Sequence, residues 1–298
     1  MADFINNIKV RFKSGDILIK LIFINIAIFL LIGIFNVFCT LFKISAFDLE
    51  YYVGVPAIVS KAISRPWTFI TYMFVHANLW HILFNMLMLY WFGRIFLSYF
   101  NQKNLGSLYI LGGIGGAILY IIAFNTIPYY TDMKNSILVG ASASVMAVIF
   151  ASAFYRQDAK VGILFFGQIK IIYIAVVIFL LDFLALGSPE NPGGHIAHIG
   201  GALVGFVFAK QYLRGRDITR WLNRLIDWFV DLFKKNPHRK LKVKKNVYKS
   251  EREADYDYNQ RKHKTEEEID IILDKIKSSG YSSLTKEEKK RLFDASKK

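Results

Sequence analysis

A single cysteine, Cys39, stands in a chain of 298 residues, and it lies inside an apolar run. This excludes a disulfide framework, a thiolate metal cluster and dithiol redox chemistry. Charge is scarce as well: 20% of the residues are charged against 54% apolar and 16% aromatic, and mean hydropathy is +0.31. That balance excludes a disordered chain and argues against a single water-soluble domain. The scarcity is uneven, since residues 1–210 hold 14 of the 38 Lys and Arg and 8 of the 23 Asp and Glu. A membrane part is therefore followed by a soluble one.

What is present is a succession of apolar runs near the ~20 residues that cross a bilayer. Ile17–Phe42, Leu79–Phe100, Leu105–Phe124, Ile137–Phe154, Ile171–Leu186 and His195–Tyr212 predict six helices. The first has no small-residue cleavage site after it and reads as a retained span. With the N-terminus inside, 14 Lys and Arg from Lys9 to Arg224 flank inner ends, and only Lys43, Lys61, Arg65 and Lys134 flank outer ones. Cytoplasmic flanks carry the cationic excess, so both termini are expected in the cytoplasm. The outer connection Lys43–Val75, with Tyr51, Tyr52, Trp67 and Phe69, is expected to lie against or partly in the bilayer.

The expected fold class is an all-α polytopic membrane protein, a six-helix bundle with a cytoplasmic helical tail. Its divisions are an N-terminal segment (1–16), the transmembrane core (17–212), a basic amphipathic juxtamembrane helix (213–235), a polar linker (236–264) and a small helical hairpin (265–298). In the juxtamembrane helix Ile218, Trp221, Leu222, Leu225, Phe229 and Leu232 recur at helical spacing among Arg216, Arg220, Arg224, Lys234 and Lys235. Such a helix fits the inner membrane surface or a face of the tail. The hairpin reading rests on capping boxes at Thr265–Glu268 and Thr285–Glu288, with Gly280 as a stop between them. Acidic residues in the tail (Glu251, Glu253, Asp255, Asp257, Glu266, Glu267, Glu268) break any continuous basic patch, so nucleic acid is not an expected partner.

Function is sought in the polar groups that a bilayer makes expensive, because these usually face the bundle interior. They are His76, His81 and Asn85 at span two, Ser142 and Ser144 in span four, Asp182 near the end of span five, and His195 and His198 in span six. By the topology above they share one depth zone near the outer face. Serine with histidine at one depth suggests nucleophilic catalysis, in which imidazole takes the hydroxyl proton and returns it to the leaving amine. Gly140, two residues before Ser142, permits close backbone approach, and a helix starting near Ser142 would turn its amide toward a developing oxyanion. His81 and Asn85, four apart, present two donors on one helical face. Gly200, Gly201 and Gly205 form a small-residue stripe, matched by Ala143, Ala147 and Ala151 on span four.

Other readings stand beside these. An intramembrane serine commonly bonds the carbonyl one turn back. His81 and Asn85 serve equally as interhelical polar contacts. His195 and His198 with His76 or His81 suggest metal ligation, against which stands the absence of an acidic residue beside them in sequence.

Three motifs resolve much of this. His76-Ala-Asn-Leu-Trp-His81-Ile-Leu-Phe-Asn85, Gly140-Ala-Ser142-Ala143 and Ala197-His198-Ile-Gly-Gly201, in that order on spans two, four and six, resemble the rhomboid intramembrane serine proteases of bacterial type. The resemblance covers about Ile17 to Tyr212. It implies a six-helix core with a water-filled site open to the outer face, Ser142 as nucleophile and His198 as general base and acid in a dyad without aspartate. It further implies Asn85, His81 and the Ser142 amide at the oxyanion, and His76, Gly140 and Gly201 as structural support, with His195 a neighbour of the base. No cofactor or metal is implied. The expected partners are transmembrane protein substrates and the lipid bilayer, the expected location a bacterial inner membrane, and oligomeric state carries no signature. Three positions depart from the family pattern: Ala143 for the second glycine of GxSG, Thr68 for the arginine after Trp67, and Met146 for an aromatic under the histidine. Two rivals are a silent client-binding protein on the same fold, which would lack Ser142 or His198, and a transporter, which would show paired broken helices. Gly112, Gly113, Gly115 and Gly116 of span three have no counterpart elsewhere in the chain and read as helix packing.

Overall fold

The structure is a computed structural model that describes residues 16–44, 49–163, 167–188, 191–233 and 268–295. The chain divides into two compact units near residue 234. In the first, α1 (Ile17–Leu41) leads to an outer segment of α2 (Leu49–Val53), β1 (Val55–Pro56), α3 (Val59–Ser64), α4 (Thr68–Thr71) and a 3-10 turn, Tyr72–Phe74. Then come α5 (Leu79–Leu97), α6 (Gln102–Thr126), α7 (Pro128–Thr131), β2 (Ile137–Leu138), α8 (Ser142–Tyr155), β3 (Lys160–Ile163), β4 (Gly167–Lys170), α9 (Ile171–Leu184), α10 (Pro192–Leu213) and α11 (Arg220–Phe233). The second unit holds α12 (268–279) and α13 (Lys286–Ala295). The N-terminal segment 1–15, the linker 236–264, Lys234, Lys235 and the Thr265 capping box lie outside the described residues.

Four long helices begin on an Asp or Asn that satisfies a first-turn amide. Asp16 accepts from Ile19 N at 3.0 Å, Asn78 from His81 N at 2.8 Å, Asn101 from Asn104 N at 2.9 Å and Asn191 from Gly194 N at 3.2 Å. Asn191 takes a left-handed φ of 56°, and Pro192 fixes the first helical position after it. α1, α5, α6 and α10 are long and apolar enough to cross a membrane, whereas α8 and α9 have 14 residues each. Their outward faces fit lipid and not water: Leu31 on α1 and Leu184 on α9 are 66% and 78% exposed. The chain is an all-α polytopic membrane protein.

Two parts of the topology correct the sequence reading. Ile137 and Leu138, expected in span four, instead pair antiparallel with Pro56 and Val55, so α8 starts at Ser142. Lys160–Ile163 and Gly167–Lys170 form a hairpin between α8 and α9 that the apolar runs did not announce. Strands of two to four residues are too short to show a period of two. The outer segment is also anchored differently: Arg65 Nη1 donates to Tyr51 O at 3.0 Å with its guanidinium 4.4 Å from the Tyr51 ring, and Trp67 Nε1 donates to Tyr52 O at 3.0 Å. An arginine two residues before Trp67 thus holds this loop, and Thr68 leaves no gap there.

Small residues bring α6, α8 and α10 into backbone contact. A Cβ on Gly112 would meet Ala147, on Gly116 Ala143 and Ala197 O, on Gly200 Gly115 O at 2.7 Å, on Gly201 Ala143 O, and on Gly205 Ala147 O. Gly113 is occupied by Met73 and Gly115 by Val204. The glycines of span three are therefore packing positions. Buried tyrosines then hold the outer segment to this core: Tyr72 donates to Gly113 O at 2.6 Å and Tyr109 to Met73 O at 2.9 Å.

In the second unit Glu288 N donates to Thr285 Oγ1 at 3.3 Å and Thr285 N to Glu288 Oε2 at 2.7 Å, a reciprocal capping box. Gly280 turns at φ 74°, and Lys275–Glu288 and Arg291–Glu268 ion pairs tie α12 to α13.

Candidate active site

Ser142 is the first residue of α8, and Ala141 before it supplies no side-chain cap. Among the described residues none accepts from the amides of Ser142, Ala143 and Ser144, which leaves them for another acceptor. The approach to the serine is fixed by Gly140, whose φ of +128° strongly disfavours any residue with a side chain. Its N–H donates to Tyr72 O at 3.0 Å. A Cβ at Gly140 would stand 2.8 Å from Cε1 and Nε2 of His81 and 3.6 Å from Ser142 Oγ. The His81 ring thus packs over the turn that presents the serine.

A cavity of about 980 Å³ opens here, lined by Trp80, His81, Phe84, Asn85 and Met88 of α5, by Ser142, Val145, Met146 and Ile149 of α8, by Ile178, Leu181 and Asp182 of α9, and by His195 and His198 of α10. It has the size and mainly apolar wall of a ligand site with a few convergent polar groups. Among the residues that the sequence put forward, Ser142, His198, His81 and Asn85 all reach it. His76 does not; it is 3% exposed, and its ring meets His81 edge-on at 5.1 Å between centroids. Gly201 lies beneath, against Ala143. Met146 is buried on the cavity wall.

Hydrogen bonding inside the site has two features. Asn85 Nδ2 donates to His81 O at 3.0 Å, one turn back, which uses one of its two amide hydrogens and leaves the other. Ser142 Oγ forms no hydrogen bond to His198 among the described residues. Such contacts in ligand-free sites are often long and close on substrate.

The residue that the sequence did not place is Asp182. Its Oδ1 stands 2.8 Å from Nδ1 of His195 and 2.8 Å from Nδ1 of His198, and its side chain is 10% exposed. The signal was visible as a lone carboxylate at membrane depth, but the partners lie 13 and 16 residues away on another helix. The three side chains offer ligand atoms within 4.8 Å of one another, so a metal has to be weighed. Ligand atoms around tetrahedral zinc, at about 2.0–2.1 Å from the ion, stand about 3.3 Å apart. The 2.8 Å separations fit hydrogen bonds instead.

Comparison with known proteins gives the family. The Rhomboid domain model matches residues 64–215, and a family of unknown function (DUF6576) matches residues 252–298. RHOMBOID-like protein 12, mitochondrial, of Arabidopsis thaliana is 25% identical over 213 residues, 68% of this chain and 60% of its own length. Rhomboid-related protein 1 of Caenorhabditis elegans is 32% identical over 170 residues, 54% and 44% respectively. Rhomboid protease AarA of Providencia stuartii is 25% identical over 164 residues, 49% and 56%. The chain thus spans about half the length of these relatives, which come from a plant, an animal and a bacterium, so the similarity does not assign it to a bacterial membrane. With the domain match covering half of the chain, and Ser142, His198, His81 and Asn85 gathered in one cavity of a polytopic helix bundle, this chain belongs to the rhomboid family.

Proposed function

We propose that the chain is an intramembrane serine endopeptidase that cuts transmembrane segments of other membrane proteins. Ser142 Oγ attacks the scissile carbonyl carbon while His198 Nε2 takes its proton; the tetrahedral adduct collapses as His198 protonates the departing amine, and water repeats the sequence to free the acyl group. The Ser142 amide, the second Asn85 amide hydrogen and His81 are the donors for the oxyanion. The observation that carries this reading is the position of Ser142, at an uncapped helix N-terminus facing a cavity shared with His198.

Depth supports it as well. The 14 residues of α8 span about 21 Å, short of a hydrocarbon core of about 30 Å. With the Arg156 end at one interface, Ser142 sits about 9 Å below the other, within reach of a substrate helix. That helix must unwind locally to offer a carbonyl, because its own hydrogen bonds hide them. A cytoplasmic position for both termini, from the cationic flanks, belongs to the same proposal. Labelling by a serine-directed fluorophosphonate tests it: the parent should label and Ser142→Ala should not, whereas equal labelling of both would remove Ser142 from the reaction.

A further inference from the structure

Span α9 carries one acidic side chain, Asp182, and a carboxylate at that depth is costly unless it is compensated. Here the compensation is specific. One oxygen, Oδ1, meets two imidazole nitrogens, Nδ1 of His195 and Nδ1 of His198, at 2.8 Å each. An ionised carboxylate only accepts, so each ring places its hydrogen on Nδ1 and its lone pair on Nε2. For His198 that is the tautomer a general base needs, with the free nitrogen available to the serine.

We propose that Asp182 is a positioning residue that holds His198 in its catalytic tautomer and ring orientation, with Ser142 and His198 remaining the reacting pair. The proposal rests on the serine protease reading above. It keeps the expected reacting dyad of Ser142 and His198, and it gives a role to a carboxylate that the matched motifs leave out. The argument has two steps. When Nε2 takes the Ser142 proton the ring becomes a cation, and the Asp182 charge beside Nδ1 stabilises that cation in a site of low dielectric. A hydrogen bond at Nδ1 also removes ring rotation from the approach to the transition state, because a base displaced by a fraction of an ångström loses much of its effect. His195 donates to the same oxygen and therefore competes with His198 for it. It holds the carboxylate toward α10 and lowers the cost of its burial.

The test uses the full chain in one detergent or vesicle system and compares the parent with Asp182→Asn, Asp182→Glu and His195→Ala. For each, kcat and KM on a model transmembrane substrate, the fluorophosphonate labelling rate and the melting temperature are measured. Asparagine keeps the size of the side chain, but its amide can donate to Nδ1 and so favours the wrong tautomer. Asp182→Asn should lower kcat by about 10²–10⁴-fold, with KM within about threefold and labelling slowed in parallel. Asp182→Glu should recover at least tenfold over Asp182→Asn, a rescue that depends on the carboxylate. His195→Ala, which frees Asp182 for His198 alone, should keep a tenth or more of the parental kcat.

An Asp182→Asn protein with parental kcat overturns the proposal, as does a loss that only follows the fall in melting temperature and is not recovered by glutamate. A parent inactivated by a chelator and restored by zinc would make the cluster a metal site and overturn it in another way. A parent that neither labels nor cuts overturns the protease reading itself, which separates that failure from failure of the Asp182 role alone.

Discussion

Gly201→Ala adds one methyl group to α10, and the structure shows where it must go. The new Cβ would overlap Ala143 O, with Ala143 C at 2.7 Å and Cα at 3.0 Å, all of them backbone atoms with no rotamer to yield. Ordinary contact begins near 3.4 Å, so α8 and α10 must part by about 1 Å or more. Overpacking of this kind costs about 1–3 kcal/mol. The site should suffer more than the fold, because Ala143 follows Ser142 directly and Gly201 lies three residues after His198, so the separation falls between nucleophile and base. A displacement of about 1 Å can cost roughly 10²-fold in rate. Cleavage of a model substrate and thermal melting are the assays. Gly33→Ala is the control, since nothing stands within 4 Å of its added Cβ, and it should gain about 0.5–1 kcal/mol from helix propensity. A Gly201→Ala protein that melts and cuts like the parent would refute the reasoning, for the two helices would then not meet backbone to backbone.

Further outcomes follow from particular hydrogen bonds. Asn85→Ala should lower kcat by about 10²–10³-fold with KM little changed, the loss of one oxyanion donor. If Asn85 only ties helices together, stability falls by about 0.6 kcal/mol and activity falls in step with it. In the tail, the Thr285 backbone N–H and then Lys275 hold the Glu288 carboxyl below its ordinary value. A depressed carboxylate contributes stability above its unfolded pKa, near 4.5, and loses it as pH falls through the folded value. Protection of α13 amides from hydrogen exchange, corrected for intrinsic rates, should therefore drop below about pH 4.5, and Glu288→Gln should remove that dependence.

The long apolar runs were legible because crossing a bilayer demands about 20 apolar residues, whatever the neighbours do. The glycines of α6 and α10 were legible for a related reason: without a hydrophobic force between spans, close approach needs small residues. Ser142, His198, His81 and Asn85 could be picked out as polar groups where polarity is expensive. The β1–β2 pair and the β3–β4 hairpin could not, since two to four residues carry no periodicity. Asp182 stood in plain view as a polar residue of span five, but its bond to His198 joins two helices, and no spacing rule along one chain encodes that distance. The same holds for Arg65, whose carbonyl partner on Tyr51 is set by the fold of the outer segment and not by its proximity to Trp67.

The central claim is that Ser142 cuts peptide bonds within the membrane. It is tested by reconstituting the full chain in lipid vesicles with a single-span substrate and identifying the products by mass spectrometry, for the parent, Ser142→Ala and Ser144→Ala. Ser144 is fully buried on α8 and its hydroxyl has no partner among the described residues, so its loss should leave turnover close to the parent. The account predicts cleavage inside the substrate's apolar segment near its outer end by the parent and by Ser144→Ala, and none by Ser142→Ala. Products that persist in Ser142→Ala, or that vanish only in Ser144→Ala, would contradict it.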